Sequence, residues 1–135
     1  MNKITFDQQS NNVVIKITGL DILWTFRAKM TIPINQIKDI SVKTDTELKS
    51  EGMFKNFQVR ALGTRYPGRI SGIFLGNNTK SFANVSGLGP KDKILLISLQ
   101  HSDNYTYVFL TVPNPEEIVK EINQFKTENI THVNS

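Results

Sequence analysis

The apolar residues of this chain come in short runs, rich in β-branched side chains and broken at turn residues. That spacing constrains the fold more than any other feature. Runs of roughly four to eight such residues between Gly, Pro, Asn and Asp clusters read as strands, and only one stretch carries a long helical period. Ile4-Thr5-Phe6 is a short strand, Asp7 to Asn12 a polar turn, and Val13 to Thr18 an alternating strand ended by Gly19. Leu20 to Phe26 departs from this pattern. Leu20, Leu23 and Trp24 fall at i, i+3 and i+4, with Asp21 near the start and Arg27 and Lys29 at the end, which predicts a short helix.

Met30 to Ile34 predicts a strand that is an edge or is broken at Pro33, which has no N–H to give to a ladder. Ile37 to Lys43 leads into another. Thr44 to Gly68 lacks a clear period, and its apolar anchors are Met53, Phe54, Phe57 and Val59. Such a length is unusual for a loop in a compact domain, so either a short helix lies around Glu47–Phe57 or the segment is a functional loop. Strands resume at Ile70 to Leu75 and Lys80 to Val85, joined by a hairpin at Gly76-Asn77-Asn78. Lys93 to Gln100 and Tyr105 to Val112 are the strongest strands. In the second, Tyr105, Tyr107 and Phe109 alternate with Val108, Leu110 and Val112, and a strand apolar on both faces is central or shared with a partner.

The helical stretch is C-terminal. Asn114 caps it, Pro115 takes its first position, Glu116 and Glu117 fill its first turn, and Ile118, Val119, Ile122 and Phe125 form an apolar stripe. The reading is one mostly β domain over residues 1–126, followed by a polar tail at 127–135 that is expected to fray. A length of 135 residues and 39% hydrophobic content suffice for one core.

Several functions are excluded or disfavoured by composition. There is no cysteine, so disulfides, thiolate metal sites and cysteine nucleophiles are ruled out. Absent cysteine fits a reducing cytoplasm, and the first residues, Met1 to Asp7, lack the apolar core of a signal peptide. Three alanines against thirteen asparagines and fifteen isoleucines match an AT-rich bacterial genome.

The order of elements, about seven antiparallel strands and one closing helix, resembles the bacterial pleckstrin-homology-like (PH-like) domains. The residues that carry the resemblance are Gly19-Leu20-Asp21, Ile32-Pro33-Ile34 with Ile37 and Ile40, and Gly63-Thr64-Arg65-Tyr66-Pro67-Gly68. Gly72 with the strand to Gly76, then Phe82, and then Asn114-Pro115 with its helix complete it. The resemblance implies a PH-like barrel capped by the helix and, as in some members, homo-oligomeric assembly. Phosphoinositide-binding relatives in eukaryotes carry a basic cluster between their first two strands. Asp7 to Asn12 has one acid and no base, so no phosphoinositide binding is expected.

No catalytic residue, metal site or cofactor is expected. His101 and His132 have no partners at metal-ligand spacing, and the acids are scattered or explained by the helix dipole. Gly72 to Gly76 and Gly87 to Pro90 lack the remainder of a phosphate loop.

The net charge of +4 has a local origin. Residues 49–80 hold six bases and one acid, while the rest of the chain holds ten bases and eleven acids. Lys49, Lys55, Arg60, Arg65 and Arg69 are interleaved with Phe54, Phe57 and Tyr66, a mixture that can bind phosphate groups or an anionic membrane surface, or can simply solvate a loop. Without a basic helix or a basic run, nucleic acid is not expected. Leu23, Trp24 and Phe26 on the short helix are candidates for a self-association surface. The expectation is a non-enzymatic binding or assembly module, cytoplasmic and homo-oligomeric. The alternatives are a peripheral anion or membrane-surface binder using Lys49 to Arg69, and an enzyme of unrecognised type.

Overall fold

The computed structural model describes residues 2–17, 29–53, 59–66, 69–76, 79–86, 92–100 and 105–133, with the backbone alone at 45, 59–66, 69 and 129–133. Strands β1 (Asn2–Asp7), β2 (Asn12–Ile17) and β3 (Lys29–Pro33) form an antiparallel sheet in that order. The turn between the first two is built by polar residues, as expected. The Asp7 carboxylate accepts hydrogen bonds from the Gln9 amide (3.1 Å) and the Ser10 amide (3.4 Å). Asn11 then takes a φ of +56°, which asparagine tolerates, and Asn12 pairs with Asp7. Pro33 ends the outer strand β3, opposite Asn12, where its missing N–H costs no ladder bond. The helix expected at Leu20 to Phe26, with Leu23, Trp24 and Phe26, lies outside the described residues.

A 3-10 turn at Ile34–Gln36 leads to β4 (Ile37–Thr44) and then to α1 (Asp45–Ser50). After it come β5 (Val59–Tyr66), β6 (Arg69–Gly76), β7 (Thr79–Ser86), β8 (Lys93–Leu99) and β9 (Tyr107–Leu110). With β4 they make a six-stranded sheet in the order β4-β8-β9-β7-β6-β5. The stretch Thr44 to Gly68 therefore holds a short helix and a strand in its described part. Its helix starts at Asp45, ahead of the expected Glu47–Phe57, because Thr44-Asp45-Thr46-Glu47 is a capping box, and it ends at Ser50, with Glu51 as C-cap. The Thr44 hydroxyl accepts from the Glu47 amide, and the Glu47 carboxylate accepts from the Thr44 amide.

Two further expectations change. The described residues form nine strands in two sheets, and these sheets are not closed into a barrel. One pairing is also parallel: β9 lies between β8 and β7, antiparallel to the first and parallel to the second. The tight hairpin at Gly76 is borne out, since Gly76 pairs with Thr79 across a two-residue connection.

The central strands are buried on both faces. Along β8, Leu95 and Ile97 join a cluster with Val13, Ile15, Phe82, Val108, Leu110, Ile122 and Phe125, between the two sheets and the C-terminal helix. Ile94 and Leu96 face the other way and join Leu48, Ile70, Phe74, Ala83, Val85 and Phe109. This two-sidedness is why β9, Tyr107 to Leu110, is apolar at every position. Tyr105, which precedes β9, departs from the expected alternation and joins the first cluster, with its ring 5.9 Å from that of Phe82.

The C-terminal helix, α2 (Pro115–Val133), begins where expected, with the Asn114 carbonyl accepting from the Glu117 and Ile118 amides. It runs on through the polar segment to Val133. Its intrinsic tendency to form is weak, and burial of Ile122 and Phe125 against the sheets, worth about 1.5–3 kcal/mol each, holds it.

Candidate functional site

A shallow, open groove of about 370 Å³ lies between β1 and α2. It is lined by Phe6 and Gln8 on one side and by Glu121, Gln124, Phe125 and Glu128 on the other. The helical side follows from spacing, since positions three, four and seven apart share one face of a helix. Phe125 is buried and Phe6 half-buried, and their rings meet at 5.2 Å with a tilt of 48° to form an apolar floor.

Glu121, Gln124 and Glu128 are exposed at the rim. Two helical turns separate the glutamates, about 10 Å along the axis. The Gln124 side-chain amide donates to the Glu128 carboxylate at 3.3 Å. Lys126, on the same helix, instead donates to the Lys38 carbonyl at 3.3 Å. Asp7, next to Phe6, is engaged in its turn. Hydrogen bonds from the Ser10 side chain, then from the Ser10 and Gln9 backbone, hold its carboxyl below the usual range. An apolar floor with a carboxylate rim fits a cationic group with an apolar stem or an aromatic neighbour. It contains no hydroxyl, thiol or imidazole to act as a nucleophile.

The basic residues are placed by the ladder of β5 and β6. Arg60 lies opposite Phe74, Arg65 opposite Ile70, and Arg69 opposite Tyr66. Arg65 and Arg69 are thus brought to the turn end of one hairpin, with Cα positions roughly 6 Å apart. Arg60 lies five residues away along β5, about 17 Å toward its other end. Lys49 is exposed in the last turn of α1, and Lys55 lies outside the described residues. β5 is the outermost strand of its sheet, so among the described residues nothing pairs with its outer edge. On the same hairpin, Leu75 is an exposed large apolar side chain.

A buried polar cluster ties the sheets together. The Asn2 side-chain amide donates to the Asn84 carbonyl (2.9 Å) and the Thr111 carbonyl (3.0 Å). The Asn84 side-chain amide donates to Asn2 Oδ1 (2.7 Å), and the Ser71 hydroxyl donates to Asn84 Oδ1 (3.0 Å). These bonds tie β1 to β7 and to the end of β9, and β6 to β7, so the cluster is structural.

Sequence reasoning missed the groove. Glu121, Gln124 and Glu128 carry a readable signal, a polar i, i+3, i+7 row beside the apolar stripe. Phe6 and Gln8 carry none, since their approach to α2 is a matter of tertiary packing. Among the described residues no group of three or more His, Cys, Asp or Glu could hold a metal ion, and no helix is long and apolar enough to cross a membrane. His101 lies outside the described residues, and His132 is described in its backbone alone. No family model, curated protein or solved structure matches the chain.

Proposed function

We propose that this chain is a non-enzymatic binding and assembly module that associates with copies of itself. The finer reading is a PH-like domain whose two packed sheets are the halves of an open barrel, with α2 at one end. The observation that carries the functional reading is the edge strand β5. It spans eight residues, its outer edge is unpaired among the described residues, and its hairpin holds all three arginines of the basic segment. An unpaired edge is a template for association, and natural proteins protect it with charge when it must stay monomeric. Here the charge has one sign, so it favours an acidic partner as much as it repels an identical edge.

Light scattering across a wide concentration range tests this reading. The expected outcome is a mass that rises with concentration; a strict monomer at the highest concentration sinks it. A second reading is favoured by the placement of Arg65 and Arg69 at one hairpin end, namely contact with an anionic membrane surface. Co-sedimentation with anionic vesicles at low and high salt distinguishes it, because screened attraction of this kind fades as salt rises.

A further inference from the structure

The smaller sheet carries a row of charge separate from both the groove and the β5–β6 hairpin. Lys3 on β1 pairs with Lys16 on β2, and Lys16 pairs in turn with Lys29 on β3. Directly opposite residues of neighbouring strands project from the same face, with Cα atoms about 4.5–5.5 Å apart. Ile15 and Ile17, on either side of Lys16, are buried in the shared core, as is Met30 beside Lys29. The three lysines therefore point away from that core, and all three are exposed. We infer that this lysine row, on the outer face of β1, β2 and β3, is a contact for an anionic membrane surface. It goes beyond the self-association proposed above, and it gives the membrane contact of the second reading a different seat.

Like charges directly opposite each other destabilise a sheet, and here the repulsion occurs twice in succession. No ammonium of the row has an ion pair or hydrogen bond among the described residues, whereas Lys43 and Lys93 are paired with Glu51 and Glu116. Solubility alone would be served by interspersed signs; this face instead aims one sign outward. Its geometry suits a plane. Two strand spacings set Lys3 and Lys29 roughly 10 Å apart, and side chains from one face stand nearly perpendicular to the sheet, so the three ammoniums reach a flat surface together. Arg65 and Arg69 differ, because the β5–β6 register sets them on opposite faces of their sheet. The next row along, Thr5-Val14-Thr31, is neutral. The acid on this face, Asp7, lies four residues from Lys3 along β1, about 13 Å away, and is bound into its turn by the Gln9 and Ser10 amides. The lysine end therefore meets the surface first.

A bilayer also fits the row better than other acidic partners do. A folded acidic protein would have to hold carboxylates at the same spacing of about 5 Å and bear the same repulsion itself. Anionic lipids diffuse laterally and gather beneath each lysine. Among the described residues, this face presents no arginine or aromatic ring on which nucleic-acid bases could stack. A lysine held at an anionic leaflet strengthens partitioning about fivefold, so the row contributes roughly a hundredfold. That attraction fades as the screening length falls from about 10 Å at 0.1 M salt to about 3 Å at 1 M.

The test is co-sedimentation of the full chain with vesicles of mixed phosphatidylserine and phosphatidylcholine, and with vesicles of phosphatidylcholine alone. The wild type is expected to bind the mixed vesicles at low salt, to leave them at high salt and to ignore phosphatidylcholine. K3Q/K16Q/K29Q, checked for wild-type circular dichroism, is expected to partition about a hundredfold more weakly, and Lys16→Gln alone about fivefold more weakly. R65Q/R69Q is expected to keep wild-type partitioning. Unchanged partitioning of the triple variant, or equal binding to phosphatidylcholine, overturns the inference. Loss in R65Q/R69Q with none in the lysine variants overturns it too and returns the contact to the hairpin end. A short duplex DNA bound as tightly as the mixed vesicles at the same salt makes the row a general phosphate contact and overturns the membrane assignment. A wild type that binds no vesicle overturns this inference together with the second reading above, and leaves self-association standing.

Discussion

Asn84 is 1% exposed on β7 and carries bonds to both sheets. Its replacement by alanine leaves the Asn2 carbonyl oxygen and the Ser71 hydroxyl without the partners they have there. Each buried polar group orphaned in this way costs about 1–3 kcal/mol, so Asn84→Ala is expected to destabilise by about 2–4 kcal/mol in urea unfolding. A loss under about 1 kcal/mol would show that the cluster is already wet. Ser81, also on β7 and fully buried, gives the opposite expectation, because its hydroxyl has no hydrogen-bond partner among the described residues. Ser81→Ala removes an unsatisfied group and is expected to be neutral or stabilising by up to about 1 kcal/mol. A clear loss of stability would mean that the hydroxyl holds an ordered water. Neither role was legible in the sequence. Asparagine and serine in a strand read as weak strand formers, and the partner that defines Asn84 is Asn2, 82 residues away.

At the scale of elements, two ion pairs among the described residues fasten helices to strands and give the stability a pH dependence. Lys93 on β8 meets Glu116 in the first turn of α2, and Lys43 on β4 meets Glu51 just after α1 at 2.8 Å. The hydrogen bond from Lys93 lowers the Glu116 carboxyl, while the Glu51 hydrogen bond raises the Lys43 ammonium. A carboxyl lowered in the folded state contributes stability above its unfolded value of about 4, and that contribution fades as pH falls through the folded value. An ammonium raised in the folded state contributes below about 10.4, and this is lost as pH climbs through its higher folded value. The urea midpoint is therefore expected to hold between about pH 5 and 9 with respect to these pairs, and to drop on either side. Lys93→Ala should make the acid limb slightly shallower, since both partners are exposed, without touching the alkaline one; an unchanged acid limb would assign it to other carboxyls, Asp7 among them. Element identity was largely legible in the sequence, including the start of α2 at Asn114-Pro115. The capping box at Thr44-Asp45-Thr46-Glu47 was equally readable, and it marks the start of α1 that periodicity alone had blurred.

For the whole molecule, the alternation of residues along each strand tells which face a side chain takes, but not which strand lies beside it. That is why the two-sided burial of β9 could be read from Tyr107 to Leu110, and the parallel pairing of β9 with β7 could not. The same limit explains the barrel expectation. Strand count and a closing helix suit either a closed barrel or two packed sheets, and closure depends on edge pairings that leave no pattern in the residues. What the packing does establish is that the two sheets share one interior. Val13, Ile15, Ile17, Met30 and Ile32 from the three-stranded sheet lie in the same cluster as Phe82, Leu95, Ile97 and Val108 from the other, with Ile122 and Phe125 from α2. The Asn2–Asn84 bonds join the sheets at one further point. Removing β1, β2 and β3 would strip that cluster from the larger sheet and expose several large side chains at about 1.5–3 kcal/mol each, which is comparable to the total stability of a domain this size. The smaller sheet is therefore expected not to melt alone. Far-ultraviolet ellipticity, reporting strands and helix, and near-ultraviolet ellipticity, reporting the packed rings of Phe82, Tyr105 and Phe125, should follow one coincident urea transition. Native-state hydrogen exchange should give β2 and β8 amides the same opening free energy, close to the global value. Two separated transitions, or β2 amides exchanging well ahead of those in β8, would show that the sheets are independent units despite their common core.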